Sequence, residues 1–489
     1  MSSTATTGFC RVTVVAPDSR VDVALPDDIA VADVYPEILR LTGQTQPPGS
    51  PTGYHLLRRD GTVLDSARTL AAQRVLDGEL LSLRPFADSL PPTVFDDVSD
   101  AVASAVTRDR HLWREDMLRG AGLVGGVLLL VLMSLVLWYA DPERHSTHGV
   151  PGVVAGVTGV LLTALAGVRA RVYDDRASAV ALGLGAMPHL LVAGTGIIAA
   201  DGGEGPGRLQ FLLGCVCALV ASVVLVTLTP DGDAPFVATA FAATVGTLAT
   251  FCAILADATA TDAAAVCAPV AIGTLAFLPG LSTRFARLPI GYASPYSATS
   301  VDFDADPDAP PSPDPVDAER VAAQARRGHE MLLGLVGGCS VVVIGAAAVL
   351  GFSDSVWGQV LALAAGLAML LRARLFRYTS QVACVLVAGI AAVGLLVVGL
   401  ALHAPDHLRQ ELLGGDRGGM DVRTVWLAGA IAAGAALVVA LGLIIPKKGL
   451  TPFWGRVSDL AEGALLLSLV PLCLAVLDVY AEARGMTSG

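Results

Sequence analysis

The chain has 489 residues, of which 54% are hydrophobic and 16% charged, and a formal net charge of −12. Soluble domains carry about 25% charged residues. The shortfall here lies after Met117, where long runs of Ala, Gly, Val and Leu put the chain in the membrane class. The acidity sits mostly in hydrophilic segments, and no Lys/Arg stripe with interleaved aromatics occurs, which argues against a nucleic-acid role.

Residues 1–116 contain no apolar run long enough for a signal peptide, so the N-terminus is expected in the cytoplasm, with residues 1–8 disordered. "RVTVVAP" and "VDVALP" flank an Asp18-Ser19 turn and predict a hairpin, with Val21, Val23 and Leu25 on one face. "VADVYPEILRLTG" spaces Val31, Val34, Ile38 and Leu41 as one helix stripe, with Pro36 early in it and Gly43 as the C-cap. Short strands in "GYHLLRR" and "GTVLD" surround an Asp60-Gly61 turn. "TLAAQRVLDGELLSLRP" then closes the unit, with Leu81 and Leu83 on one face of its strand and Leu80 on the other. The ββαββ order and the segment Val75, Asp77, Gly78, Leu81, Leu83, Arg84, Pro85 resemble the ubiquitin-like β-grasp, placed at residues 9–87. No terminal Gly-Gly follows, so this is a docking module rather than a conjugated modifier.

A linker at 88–117, containing Arg108, Arg110 and Arg114, leads into the apolar region. A spanning helix needs about 20 apolar residues, and eleven candidates follow: 118–140, 150–168, 177–200, 209–228, 234–255, 263–281, 331–352, 356–371, 381–402, 425–445 and 461–480. With the N-terminus inside, inner connections hold 18 Lys and Arg and outer ones hold 6. This bias predicts a cytoplasmic N-terminus and an extracytoplasmic tail at 481–489. Trp113, Trp138, Trp357, Trp426 and Trp454 lie near predicted interfaces.

The spans fall as six (118–281) and five (331–480), divided by a cytoplasmic loop at 282–330. Its acidic, Pro-rich middle, Ser300–Pro315, is expected to be extended. Its end, Asp317–Glu330, is expected to continue into span 7 as a helical stub. The loop reads either as a passive linker or as a partner-docking segment, being far longer than two helices require.

Chemistry-bearing residues are scarce within the spans. His189 follows Pro188 and is expected to bond a freed carbonyl, while Glu462 and Asp478 fall near the ends of span 11. The eight cysteines form no CxxC pair and read as small packing residues. Asp304, Asp306 and Asp308 alternate as at the start of a calcium loop. Pro307 interrupts them, and the glycine turn and terminal Glu are missing. There is no P-loop, HExxH or plausible GxSxG nucleophile, so no catalytic residue, cofactor or metal is expected. Gly122/Gly126 and Gly334/Gly338 have the spacing that lets membrane helices approach closely.

A ubiquitin-like head, a basic linker, eleven spans, a long loop after the sixth, and the segments "LDGELLSLRP" and "RLPIGYASPYSA" together resemble the EccD family. That family supplies a multi-spanning core component of the actinobacterial type VII (ESX) secretion system. The resemblance implies a non-catalytic subunit of a bacterial inner-membrane complex for protein export. In that complex it pairs with a second EccD copy beside EccB, the ATPase EccC and EccE. The pair encloses a lipid-filled interior, and its heads brace the ATPase. Arg58 and Arg59 on the head, and Tyr292 and Tyr296 in the loop, are the candidate partner contacts. The competing readings are a secondary transporter or permease with a regulatory β-grasp domain, which would need polar, discontinuous helices at mid-bilayer, and a receptor or scaffold unrelated to secretion.

Overall fold

A computed structural model describes residues 8–17, 19–44, 53–85, 115–141, 146–199, 207–229, 233–285, 318–448 and 451–487. The chain forms two units, residues 1–112 and 113–489.

In the first unit, β1 (Phe9–Val15) and β2 (Arg20–Pro26) form the expected antiparallel hairpin, with Val12 opposite Val23. Alternation places Cys10, Val12 and Val14 in the core and leaves Phe9 exposed. Helix α1 (Val31–Leu41) contributes Val31, Val34 and Ile38 to the same core. Leu41 departs from the expected stripe: it lies at the helix end, past the last buried turn, and is exposed. Gly43 has φ +68° and its N–H bonds the Arg40 carbonyl, ending the helix as its sequence position requires. Strand β4 (Glu79–Pro85) pairs parallel with β1 and antiparallel with β3 (Tyr54–Leu57), giving the order β2-β1-β4-β3. This is the ubiquitin-like sheet, with Leu81 and Leu83 buried as expected. The segment "GTVLD" supplies only one bridge, Val63 to Leu57, and "TLAAQRV" forms turns. The Asp77-Gly78 turn is pinned to β1: Arg11 N–H donates to Asp77 Oδ1 (2.7 Å) and Gly78 N–H to the Arg11 carbonyl (2.6 Å).

Among the described residues of the second unit, ten helices have the length and apolarity to cross a membrane: Met117–Trp138, Val150–Arg171, Arg176–Thr195, Arg208–Leu228, Ala234–Leu255, Val321–Gly351, Val356–Leu375, Thr379–Leu413, Gly418–Ile445 and Pro452–Val476. The sixth candidate in chain order, here span 6, is a pair, Ala260–Thr274 and Leu278–Arg284, bent by 63°, which brings the number to eleven if the pair is taken as one span. Pro279 accounts for the break, because it cannot donate to the Leu275 carbonyl four residues back. Thr259 and Asp262 form a reciprocal capping box that starts this broken span.

Span 7 belongs to a helix that begins at Ala318 and runs 34 residues to Gly351. At 1.5 Å per residue it is about 51 Å long, well beyond the ~30 Å hydrocarbon thickness. Its N-terminal turns are therefore the helical stub expected from Asp317–Glu330.

Two apolar cores hold the helices. One gathers Leu162, Ala166, Met187, Leu225 and Phe236 from spans 2–5. The other joins Ala265, Ala268 and Ile272 of span 6 to Val336, Leu361, Ala388 and Leu469 of spans 7, 8, 9 and 11. In packing, span 6 thus goes with the helices that follow the loop. Spans 1 and 10 contribute little: 6% and 0% of their most apolar stretches are buried.

Candidate functional site

On the head, the two arginines behave differently. Arg58 works inside the domain: its Nη2 donates to the Gln73 carbonyl (2.5 Å) and its Nε lies 3.4 Å from Glu79 Oε1, tying β3 to the segment that precedes β4. Its side chain is 26% exposed. Arg59 stands exposed beside the Asp60-Gly61 turn, where Asp60 Oδ1 accepts from Thr62 N–H (2.9 Å). Tyr292, Tyr296, the Asp304–Asp308 alternation, Trp113 and the linker arginines before Arg119 lie outside the described residues.

In the bundle, one end carries a belt of charge pairs between helices that are distant in sequence. Asp175 caps span 3, accepting from Ser178 N–H (3.2 Å), and receives Arg119 of span 1 at 2.5 Å and Arg169 of span 2 at 4.0 Å. The Ser178 bonds, and then the Arg119 charge, hold its carboxyl below the usual Asp range. Next to it, Arg176 Nη2 meets Glu330 Oε1 on the span 7 stub at 3.2 Å. One turn earlier on that stub, Arg327 Nη1 lies 3.0 Å from Asp233 Oδ2 at the start of span 5. Burial pushes the Asp233 carboxyl up, and Glu330 adds to this while Arg327 opposes it. His329, between them, stacks on Tyr378 with ring centroids 4.3 Å apart, and its Nδ1 lies 3.4 Å from Gln381 Nε2 at the start of span 9. The stub is therefore clasped to spans 3, 5 and 9 by three consecutive contacts. At the same end, Arg374 pairs with Asp459, and Arg372 Nε lies 3.9 Å from Glu462 Oε1.

Away from this end the interior is nearly free of charge. His189 is fully buried and its Nδ1–H donates to the Gly185 carbonyl (2.8 Å). This carbonyl is the neighbour of the one that Pro188 frees, Leu184's, because the ring reaches back along its own helical row. Close crossings rest on small residues, as at Gly194 against the Gly214 backbone and Gly334 against Val237. Gly122 and Gly126 have nothing within 4 Å where a Cβ would stand. All eight cysteines are free thiols, with Cys10, Cys215 and Cys339 buried. No group of three or more His, Cys, Asp or Glu that could hold a metal occurs among the described residues.

The arrangement is one of assembly surfaces. The family model for the EccD-like transmembrane domain matches residues 118–486, and that for YukD of the WXG100 protein secretion system matches residues 9–83. The chain belongs to the EccD family. Full-length relatives are the ESX-4 secretion system proteins eccD4 of Mycobacterium tuberculosis strains CDC 1551 and H37Rv. Each is 29% identical over 502 aligned residues, covering 98% of both chains. A chain in the structure of protomer 1 of the ESX-3 core complex shares the fold with TM-score 0.56 at 18% identity, covering 97% of this chain and all of that one (100%). A chain of the MycP5-free ESX-5 inner membrane complex, State II, superposes with TM-score 0.50 at 21% identity, covering 88% of this chain and 99% of that one. This EccD chain is thus a multi-pass membrane protein of type VII secretion with a ubiquitin-like head.

Sequence reasoning missed several residues of the belt. Asp233 lies in a connection with no Lys or Arg, and its partner Arg327 is 94 residues away in the loop end. Glu462 was placed near the start of span 11, but the helix begins at Pro452, so Glu462 enters it by almost three turns. A carboxylate at that depth was the signal for a cationic partner, and Arg372 supplies it.

Proposed function

We propose that this EccD chain is a non-catalytic structural subunit of a type VII secretion inner-membrane complex. Its head docks the secretion ATPase and its bundle pairs with a second copy. The N-terminus is cytoplasmic and the tail extracytoplasmic. EccB- and EccE-like subunits and membrane lipids complete the surroundings. Membership of the EccD family supports this reading most directly. The bundle's own chemistry is consistent with it: the charge pairs of the belt gather at one end of the bundle and connect helices to one another, while spans 1 and 10 leave long apolar faces open. A coupled transporter would instead place polar groups along a path near mid-bilayer.

The test is affinity purification of the full chain and of a version lacking residues 1–90 from membranes that contain the other components. Normal membrane insertion of the truncated chain with loss of ATPase co-isolation is the expected result. ATPase recovery equal to the full chain's would overturn head docking. A solitary, stable monomer that binds a small-molecule substrate would overturn the structural reading altogether.

A further inference from the structure

The solvent face of the head's sheet, opposite α1, carries more apolar surface than the wet face of a sheet ordinarily shows. Register and alternation put Val15, Leu57 and Leu80 on it, because their strand neighbours Val14, Leu56 and Leu81 fill the core. Val15 on β1 and Leu57 on β3 both stand opposite Ser82 of β4, and Leu80 precedes Ser82 by two residues. The three positions therefore form one continuous strip across the sheet, and all are half-buried rather than covered. Phe9, at the start of β1, lies on the same face and is 64% exposed.

Three exposed arginines surround this strip: Arg11 on β1, Arg20 on β2 and Arg84 on β4. Among the described residues the head's ion pairs are Arg40 with Glu37 and Arg58 with Glu79, so these three guanidiniums carry no acid of their own. Asp22 is the one acid on this face among the described residues, and its Oδ1 is taken by the Thr13 hydroxyl (2.6 Å). Asp33 and Glu37 lie on α1, on the far side of the sheet. From strand spacing and rise, Arg20 and Arg84 stand about 12 Å apart, and Arg11 and Arg20 about 14 Å. Cations this sparse do not make the cluster of about 4–8 that an anionic lipid surface selects. Each can instead take one carboxylate in a bidentate pair.

We infer that this sheet face is the head's docking surface, and that its occupant is an acidic amphipathic helix of the docked subunit. The occupant's apolar stripe lies on Val15, Leu57 and Leu80, and its flanking carboxylates pair with Arg11, Arg20 and Arg84. A strand would add to the edge at β2 or β3 and leave this chemistry unused. A helix about 10 Å wide fits across four strands spanning roughly 14 Å, and 12 Å along its axis is about eight residues, or two turns. Acids two turns apart on one flank thus match the arginine spacing. The inference rests on the reading that the head docks the ATPase, and it names the surface and the chemistry of what is held.

Two measurements on the full chain test this. In co-isolation from membranes, Arg11→Glu with Arg20→Glu and Arg84→Glu should lower ATPase recovery about tenfold. The same charge change off the face, Arg40→Glu with Arg68→Glu and Arg74→Glu, should leave it unchanged. Native recovery with the face variant overturns the surface. If removal of residues 1–90 abolishes recovery while the face variant keeps it, head docking stands and this surface falls. If both keep it, docking itself falls, and the surface is decided by the second measurement. There, a fluorescent synthetic helix with a leucine stripe flanked by Glu is titrated onto the detergent-purified chain, beside the same peptide with Lys for Glu. The Glu peptide should bind, weaken as salt screens the pairs, and bind about tenfold less to the face variant and to Leu80→Ser, a change that keeps every charge. Equal binding of the two peptides, or of the Glu peptide to native and face-variant chains, overturns the inference. Displacement of the Glu peptide by phosphatidylglycerol but not phosphatidylcholine would give the face to the membrane surface and overturn a protein occupant.

Discussion

Arg327 and Asp233 join the helical stub of span 7 to the first turn of span 5 through a 3.0 Å ion pair in which the carboxylate is 2% exposed. Burying that carboxylate is costly, and the half-exposed guanidinium offsets much of the cost. Arg327→Gln should therefore destabilise the detergent-solubilised chain by about 1–3 kcal/mol, and Asp233→Asn with Arg327→Gln should recover part of the loss. The pH dependence has a definite sign. The folded carboxyl titrates above its unfolded value, so its contribution is fully present below the unfolded pKa and is lost as pH rises through the folded one. Without Arg327 the folded value rises further, and melting temperature should fall more steeply in Arg327→Gln than in the native protein as pH rises above the ordinary Asp range.

Asp175 has the opposite sign. Its folded carboxyl titrates below the ordinary range, so its stabilisation is present above the unfolded pKa and is lost as pH falls through the folded value. Asp175→Ala removes the span 3 cap and the partner of Arg119, and about 1 kcal/mol of stability should go with it. Asp175→Asn keeps an acceptor for the Ser178 N–H and should lose less. Thermal unfolding of the two variants at neutral pH distinguishes capping from charge.

On the head, Arg58 and Arg59 should separate cleanly. Arg58→Ala breaks the bond to the Gln73 carbonyl and the pairing with Glu79, costing about 1–1.5 kcal/mol. Hydrogen exchange of the backbone around residues 64–79 should quicken as a result. Arg59→Ala should leave that exchange unchanged, and any effect it has should appear in ATPase co-isolation. Slower or unaltered exchange in Arg58→Ala would show that the arginine does not brace the domain.

Two glycine sites should respond differently to the same change. At Gly183 a Cβ would come within 2.4 Å of the buried Phe236 ring, so Gly183→Ala should destabilise the bundle by about 1–3 kcal/mol. At Gly122 and Gly126 the space is open, and alanine should stabilise the isolated chain by as much as ~1 kcal/mol each through helix propensity. If this face packs against another helix in the assembled complex, the Gly122→Ala/Gly126→Ala protein should melt higher alone and co-purify with a tagged second copy less well. Undiminished co-purification would remove this face from the pairing surface.

The head was legible because strand alternation and the Asp77-Gly78 turn are local signals, and Val12, Leu81 and Leu83 lie buried where alternation puts them. Leu41 was misplaced because periodicity cannot show where the sheet beneath a helix ends. Span positions were legible for a similarly simple reason, since the hydrocarbon thickness imposes a length on each apolar run. The clasp of Arg327, His329 and Glu330 was not. These residues read as an ordinary charged loop end, and their partners Asp233, Tyr378 and Arg176 lie far away in the chain.

Composition and periodicity by themselves determined that a small unit of strands and one helix precedes a polytopic helical bundle, because both follow from local geometry and from the solvent each segment must match. Tertiary structure alone decided how span 6 is used. Broken at Pro279, it leaves its side of the loop and packs with spans 7, 8 and 11. It also decided which glycines touch a neighbouring backbone and which charges find partners. The physical reason is that lipid-exposed and helix-facing positions are equally apolar, so hydropathy cannot tell them apart, and only close packing of small side chains does.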